Sequence, residues 1–217
     1  MGFPRNEFIS EATKQGHSQG FITRALAYAD ALDNKGLPVI FDVGHLAYIL
    51  NKNMNEMTSI IKNTSQKYSY FAIKKRNGRL RRIMAPYQEL QMVQVWIKES
   101  ILDKIRHPNC VTAFVSERNT HKNAKVHEGR KYVLKFDLKD FFESINIARV
   151  VAAFKWIGYD NKVAFCLARI CTANIDDYKF DRLENKPEVQ VLFDDLRKKP
   201  FPFLMQGAST SPGLANI

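Results

Sequence analysis

Two carboxylates three residues apart, Asp137 and Asp140, follow the run Tyr132-Val133-Leu134-Lys135-Phe136. That run is too apolar for a loop, so Asp137 is expected at the end of a buried strand, where a charge is tolerated only when paired or bound to a cation. A divalent cation such as Mg²⁺, held by the Asp137 carboxylate and the backbone carbonyl of Leu138, would suit phosphoryl transfer, in which bound ions clamp the entering and leaving oxygens. Spacing alone leaves an equal alternative, that Asp137 or Asp140 caps the helix that follows. A second concentration of charge surrounds Asn77-Gly78: Lys74, Lys75, Arg76, Arg79, Arg81 and Arg82. So many cations repel one another unless they are solvated or face phosphates, and guanidinium forks match phosphate oxygens. A solvated edge whose charges deter strand aggregation is the competing account. The third stretch is Gln206-Gly207-Ala208-Ser209-Thr210-Ser211-Pro212. Gly207, having no side chain, suits a close approach of backbone to a ligand, and a plain Ser/Thr loop before a helix explains the same composition.

These residues need elements to position them. Two β-prone runs, Tyr70 to Ile73 and Leu80 to Met84, flank Asn77-Gly78 and predict a hairpin, because that dipeptide tolerates positive φ. Val133 to Phe136 reads as the strand that delivers Asp137. Helical spacing of apolar residues predicts helices over 18–33, 43–51, 55–62 and 89–105, ended by Gly36-Leu37-Pro38 and His107-Pro108 at the first and last, with further helices around 148–156 and 162–171. Three short helices near the N-terminus leave two readings, a helical buttress or a helix-turn-helix module. Residues 174–200, with Asp176-Asp177, Asp194-Asp195 and Arg197-Lys198-Lys199, read as a charged surface insertion. No repeat or low-complexity linker divides the chain, which predicts one continuous unit.

Composition narrows the partners. Lys and Arg outnumber Asp and Glu by 33 to 22, a net charge of +11, over 217 residues. That balance favours a polyanion such as nucleic acid. No apolar run is long enough to span a bilayer, and the N-terminus lacks both a secretory segment and a myristoylation signal, so a cytoplasmic protein with no membrane partner is expected. Cys110, Cys166 and Cys171 have no paired spacing for zinc and read as reduced structural thiols.

Taken together and in order, these stretches resemble a known family. Phe136-Asp137-Leu138-Lys139-Asp140-Phe141-Phe142-Glu143-Ser144-Ile145 resembles the first palm motif of reverse transcriptases, and Gln206 to Pro212 the second, with Met205 where proline is usual. Asn123-Ala124-Lys125-Val126-His127, along with Gly36-Leu37-Pro38-Val39 and Ala113-Phe114-Val115, is similar to signatures of the retron-type enzymes. His127 taken alone reads equally well as a surface histidine.

The resemblance implies an α+β fold: an N-terminal helical region over 1–66, fingers over 67–131, and a partial palm over 132–217 that contains the charged insertion. It implies RNA-directed DNA synthesis by two-metal nucleotidyl transfer, with two Mg²⁺ ions in the complete enzyme. Asp137 would be catalytic and, with the Leu138 carbonyl, hold metal. Lys74, Arg81, Phe142, Gln206 and Gly207 would bind the deoxynucleoside triphosphate, Phe142 by excluding a 2′-hydroxyl from the space beneath the sugar. Lys75, Arg76, Arg79, Arg82, Asn123 and His127 would be candidates for RNA. The implied partners are an RNA template and nascent DNA, a structured noncoding RNA and an effector protein, in an antiviral defence setting. Because Ile217 precedes the place of the family's second catalytic carboxylates, in a Tyr-x-Asp-Asp hairpin, this chain is expected to be inactive alone. The alternatives are a noncatalytic RNA-binding scaffold or defence component, and a DNA-binding regulator built on the N-terminal helices.

Overall fold

Side-chain caps start most of the longer helices. The computed structural model describes residues 3–183 and 187–217; the first two residues of the expected N-terminal region and residues 184–186 of the expected insertion lie outside them. Helix α1 (Arg5–Lys14) precedes α2 (Gln19–Asp33), whose first turn donates the Phe21 N–H to the Ser18 hydroxyl. Asp42 accepts from the His45 N–H to begin α3 (Val43–Ile49). Asn53 and Glu56 form a reciprocal capping box at α4 (Met54–Lys62), with bonds of 2.9 and 3.0 Å. Such caps satisfy N–H groups that the first turn leaves without partners and are each worth about 1 kcal/mol.

A turn of 3₁₀ helix (Thr64–Lys67) leads into the hairpin of β1 (Tyr68–Lys74) and β2 (Leu80–Pro86), paired antiparallel from Tyr68↔Pro86 to Lys74↔Leu80. The connection turns through Gly78 at φ +80°, closed by Lys75 N–H to Arg79 O at 2.7 Å. Helix α5 (Gln88–Ser100) and a 3₁₀ turn (Leu102–Lys104) follow, then a loop with the short α6 (Thr120–Lys125). Beyond Asp140 come α7 (Phe141–Ser144), α8 (Ile147–Ile157) and α9 (Asn161–Cys171), the last two capped by Asn146 and Asp160. Strand β3 (Thr172–Ala173) pairs antiparallel with β4 (Phe203–Leu204). Between them lie α10 (Asp177–Asp181), α11 (Pro187–Gln190) and α12 (Asp194–Arg197), and α13 (Ser211–Ala215) comes last. The fold is α+β, mostly helical with small antiparallel sheets.

One apolar core runs through all of this. Leu32, Ile40, Leu46, Met57 and Ile60 from the N-terminal helices join Tyr68 and Met84 of the hairpin, Leu90 and Ile97 of α5, and Phe154 and Leu167 of α8 and α9. The N-terminal helices thus share the hairpin's core, and among the described residues Ala12, Ile22 and Leu26 make a small cluster apart. Buried Gln94 on α5 ties the layers, donating to the Tyr68 hydroxyl at 2.7 Å and to the Ile170 carbonyl at 2.9 Å.

Two expectations need correction. Residues 132–136 form no strand: the backbone is irregular, and Leu134 and Phe136 are more than four-fifths exposed. A run of β-formers becomes a strand only when a second backbone takes up its N–H and C=O groups, and among the described residues none pairs with it. The charge-rich stretch 174–200 is not confined to the surface either. It sends Ile175, Phe180, Val189, Phe193 and Leu196 into the main core, while Asp177, Asp181, Asp194, Asp195 and Lys198 stay exposed. Among the described residues no helix is long and apolar enough to cross a membrane, and the three cysteines are free, with Cys171 fully buried.

Candidate active site

A cleft of about 680 Å³ opens between the tip of the hairpin and the turn before α7. Lys75, Arg79, Arg81 and Arg82 border it from the hairpin, Asp137, Leu138, Asp140, Phe142 and Glu143 from the turn, and Gln206 from the segment after β4. Three stretches far apart in the chain are thus brought to one place.

The hairpin and the Gln206 segment are locked to each other. Met84 N–H donates to the Gln206 carbonyl at 2.8 Å. Gly207 stands at φ +128°, and a Cβ there would lie 2.8 Å from the Met84 carbonyl oxygen, so only glycine permits this approach. Met205, where the resembling motif has proline, is fully buried, and its carbonyl accepts both the Ala208 N–H at 3.1 Å and the Ser211 hydroxyl at 2.9 Å. Two hydrogen bonds hold the turn that a proline ring would otherwise stiffen.

The carboxylates divide into bound and free. Arg82, largely buried, lies 3.2 Å from Glu143 Oε1 through Nε and 3.1 Å from Asp195 through Nη1, which also donates to the Leu192 carbonyl at 3.0 Å. Its Nη2 is 2.8 Å from Asp140 Oδ1, close enough for charge attraction though not aligned as a hydrogen bond. Asp140 takes φ +50°, the left-handed region that costs a non-glycine residue about 1–2 kcal/mol. Asp137, by contrast, is exposed and has no hydrogen-bond or ion-pair partner among the described residues. It caps no helix: α7 begins after Asp140, whose side chain makes no cap bond either.

The donor set fits a hard cation in part. Asp137 and the Leu138 carbonyl offer unengaged oxygens at the cleft, and no cluster of three or more His, Cys, Asp or Glu side chains converges among the described residues. Asp137 therefore comes to the cleft from an exposed irregular segment, where a buried strand end was expected.

The remaining predicted residues sort by position. Arg81 is exposed at the cleft without an ion-pair partner among the described residues, and Phe142 is half-buried, its ring 6.2 Å from that of Phe141 and its body packed on the core. Lys74, the last residue of β1, does not border the cleft; Lys75 and Arg79, beyond the ladder, do. Arg82, expected to face RNA, is engaged by carboxylates. Arg76, Asn123 and His127 are exposed and away from the cleft, with Asn123 and His127 in and just after α6. Sequence reasoning missed the roles of Glu143, Leu192 and Asp195. The spacing of Asp140 and Glu143 carries a local signal, whereas Asp195 reaches Arg82 only through the fold.

Comparison with known proteins follows the same line. No family model matches the chain. Curated relatives do: the Retron Ec86 reverse transcriptase of Escherichia coli is 27% identical over 188 residues, 86% of this chain and 50% of its own length. The Retron Mx65 reverse transcriptase of Myxococcus xanthus is 34% identical over 150 residues, 69% of this chain and 33% of its own. This is a retron reverse transcriptase-like chain. The Retron Se72 reverse transcriptase of Salmonella heidelberg adds 28% identity over 141 residues. The retron reverse transcriptase-like chain spans half or less of the length of these relatives.

Proposed function

We propose that this chain supplies the fingers and the first part of the palm of an RNA-directed DNA polymerase that copies a noncoding RNA into DNA. The observation that carries the reading is that Asp137, Arg81, Phe142 and Gln206, from separate stretches, border one cationic cleft. In this reading Arg81, with Lys75 and Arg79, binds the triphosphate oxygens of a deoxynucleotide through charge-assisted hydrogen bonds. Phe142 occupies the space beneath the sugar and rejects a 2′-hydroxyl by bulk. Gln206 and the bare backbone at Gly207 seat the nucleotide and template. Asp137 and the Leu138 carbonyl would hold Mg²⁺, which when bound neutralises developing charge on the phosphoryl oxygens.

Two-metal nucleotidyl transfer needs more free carboxylate than the described residues bring to the cleft, because Asp140 and Glu143 are taken by Arg82. We therefore expect no processive synthesis from the purified chain by itself. The implied setting is the cytoplasm, consistent with free cysteines. Extension of a primer on an RNA template by a polymerase that includes this chain tests the reading. Asp137→Asn should abolish extension and leave RNA affinity intact, whereas undiminished synthesis by that variant would refute the role of Asp137.

A second reading rests on Asp137 being the one unengaged carboxylate at the cleft among the described residues: a noncatalytic RNA-binding scaffold. It predicts that Asp137→Asn changes neither RNA affinity nor biological function.

A further inference from the structure

A larger cavity, about 1160 Å³, lies between α1, α2, α3 and the start of α9 and shares no residue with the cleft. Its walls are rings. Phe8, Phe41 and His45 form an offset column, with centroid separations of 5.3 Å at 18° for the first pair and 5.5 Å at 17° for the second. His17 and Phe21 form another stack at 4.5 Å and 23°.

Polar groups stand among the rings with bonding capacity to spare. His45 Nδ1 accepts the Phe41 N–H at 3.4 Å, which puts the proton of the neutral ring on Nε2. Burial lowers the pKa of His45, with Asp42 opposing in part, so the neutral form is favoured. Asp42 spends Oδ1 on the His45 N–H at 2.8 Å and has no donor at Oδ2 among the described residues. Arg24 has neither a hydrogen bond nor a carboxylate partner among the described residues, although it borders the same space.

We propose that this cavity is a nucleobase-binding site. A nucleobase has two apolar faces and a polar edge, and the cavity offers ring faces together with donors at His45 and Arg24 and an acceptor at Asp42. A purely aliphatic ligand would leave those polar groups without partners. Lys162, at the rim of the cavity, suits the phosphate that accompanies the base. The base comes either from single-stranded RNA, an origin that rests on the proposed function above, or from a free nucleotide. Stacking on an aromatic side chain is worth about 1–3 kcal/mol per base, enough to read in binding.

The 217-residue chain would be titrated with labelled oligouridylate and oligoadenylate, with an RNA duplex, and with UMP and AMP. The variants are Arg24→Ala and the exposed pair His17→Ala/Phe21→Ala, each checked for an unchanged melting temperature. Both should weaken single-stranded RNA about tenfold and leave the duplex unaffected. 5-Bromouracil in the oligonucleotide should crosslink to the peptides carrying Phe21 or Phe41. Mononucleotides bound as tightly as oligonucleotides, and sensitive to Arg24→Ala, would assign the site to a free nucleotide; the cavity inference then stands without the RNA reading. RNA bound equally by wild type and both variants, with crosslinks confined to residues 74–82, overturns the cavity inference and leaves the RNA reading intact. Absence of any nucleotide or RNA binding overturns the cavity inference as well.

Discussion

Nε of Arg82 lies 3.2 Å from Oε1 of Glu143, a carboxylate only 4% exposed. That distance fastens the hairpin to the turn bearing Asp137, and it explains why two adjacent arginines have different fates. Arg82 is consumed in holding the structure together, and Arg81 stays available at the cleft.

Removing the Arg82 guanidinium leaves Glu143 buried and unpaired, the case in which a broken ion pair costs about 3–5 kcal/mol. Arg82→Met should therefore lower the urea midpoint strongly. Arg82→Lys should recover only part of the loss, because an ammonium cannot meet Asp140, Glu143 and Asp195 in a fork. A midpoint for Arg82→Met equal to wild type would show that the network contributes nothing.

Arg81→Ala should behave in the opposite way. An exposed side chain without a partner is worth within about 0.5 kcal/mol of stability, so melting is expected to be unchanged. Binding of a deoxynucleoside triphosphate, followed by calorimetry in the presence of Mg²⁺, should weaken by about tenfold or more, in line with loss of a charge-assisted hydrogen bond worth about 1.5–3 kcal/mol.

Gly207→Ala should cost about 2 kcal/mol or more. The new methyl meets the Met84 carbonyl at 2.8 Å in a left-handed backbone that L-residues avoid. The hydrogen bond between Met84 and Gln206 would stretch, and faster amide exchange at Met84 is the signature to look for. Wild-type protection there would show that the contact yields without consequence.

Burial depresses the pKa of His45 below its ordinary 6.5, and this fixes a sign for pH dependence. Between the folded and unfolded values the unfolded chain binds more protons, so stability rises with pH through that window. The contribution is fully present above 6.5 and is lost as acid drives the folded ring to protonate. Among the groups bordering the same cavity, which include Glu11 and Asp160, Asp42 is the one whose charge opposes the shift. His45→Phe should flatten the slope of unfolding free energy on the acid side of the ordinary histidine value; an identical slope in both proteins would contradict the assignment.

Local chemistry made much of the fold legible. Asn53 with Glu56, Gly36 before Pro38, and Asn77-Gly78 between β-prone runs each act within a few residues, and the structure has a capped helix, a helix end and a hairpin at those places. What escaped depends on partners distant in the chain. Val133 to Phe136 has strand composition but no described backbone to pair with. Phe193 and Leu196 sit among charges yet are buried, because the fold turns them toward Tyr70 and the core while Asp194 and Lys198 face water. At the site, the arrival of Asp137, Arg81 and Gln206 at one cleft was expected from motif order. The capture of Arg82 by Asp195 was not, since nothing local to position 82 distinguishes it from its neighbour.

The exposed stretch from Tyr132 to Leu138 governs how the purified molecule behaves in the tube. Tyr132, Leu134, Phe136 and Leu138 stand at alternate positions in water, with Lys135 and Lys139 spaced between and after them as deterrents to self-stacking. Covering even two such side chains would return about 3–6 kcal/mol, which makes this segment an adhesive edge. Concentrated stocks should stick to one another and to plastic more at room temperature than on ice, because hydrophobic attraction fades with cooling.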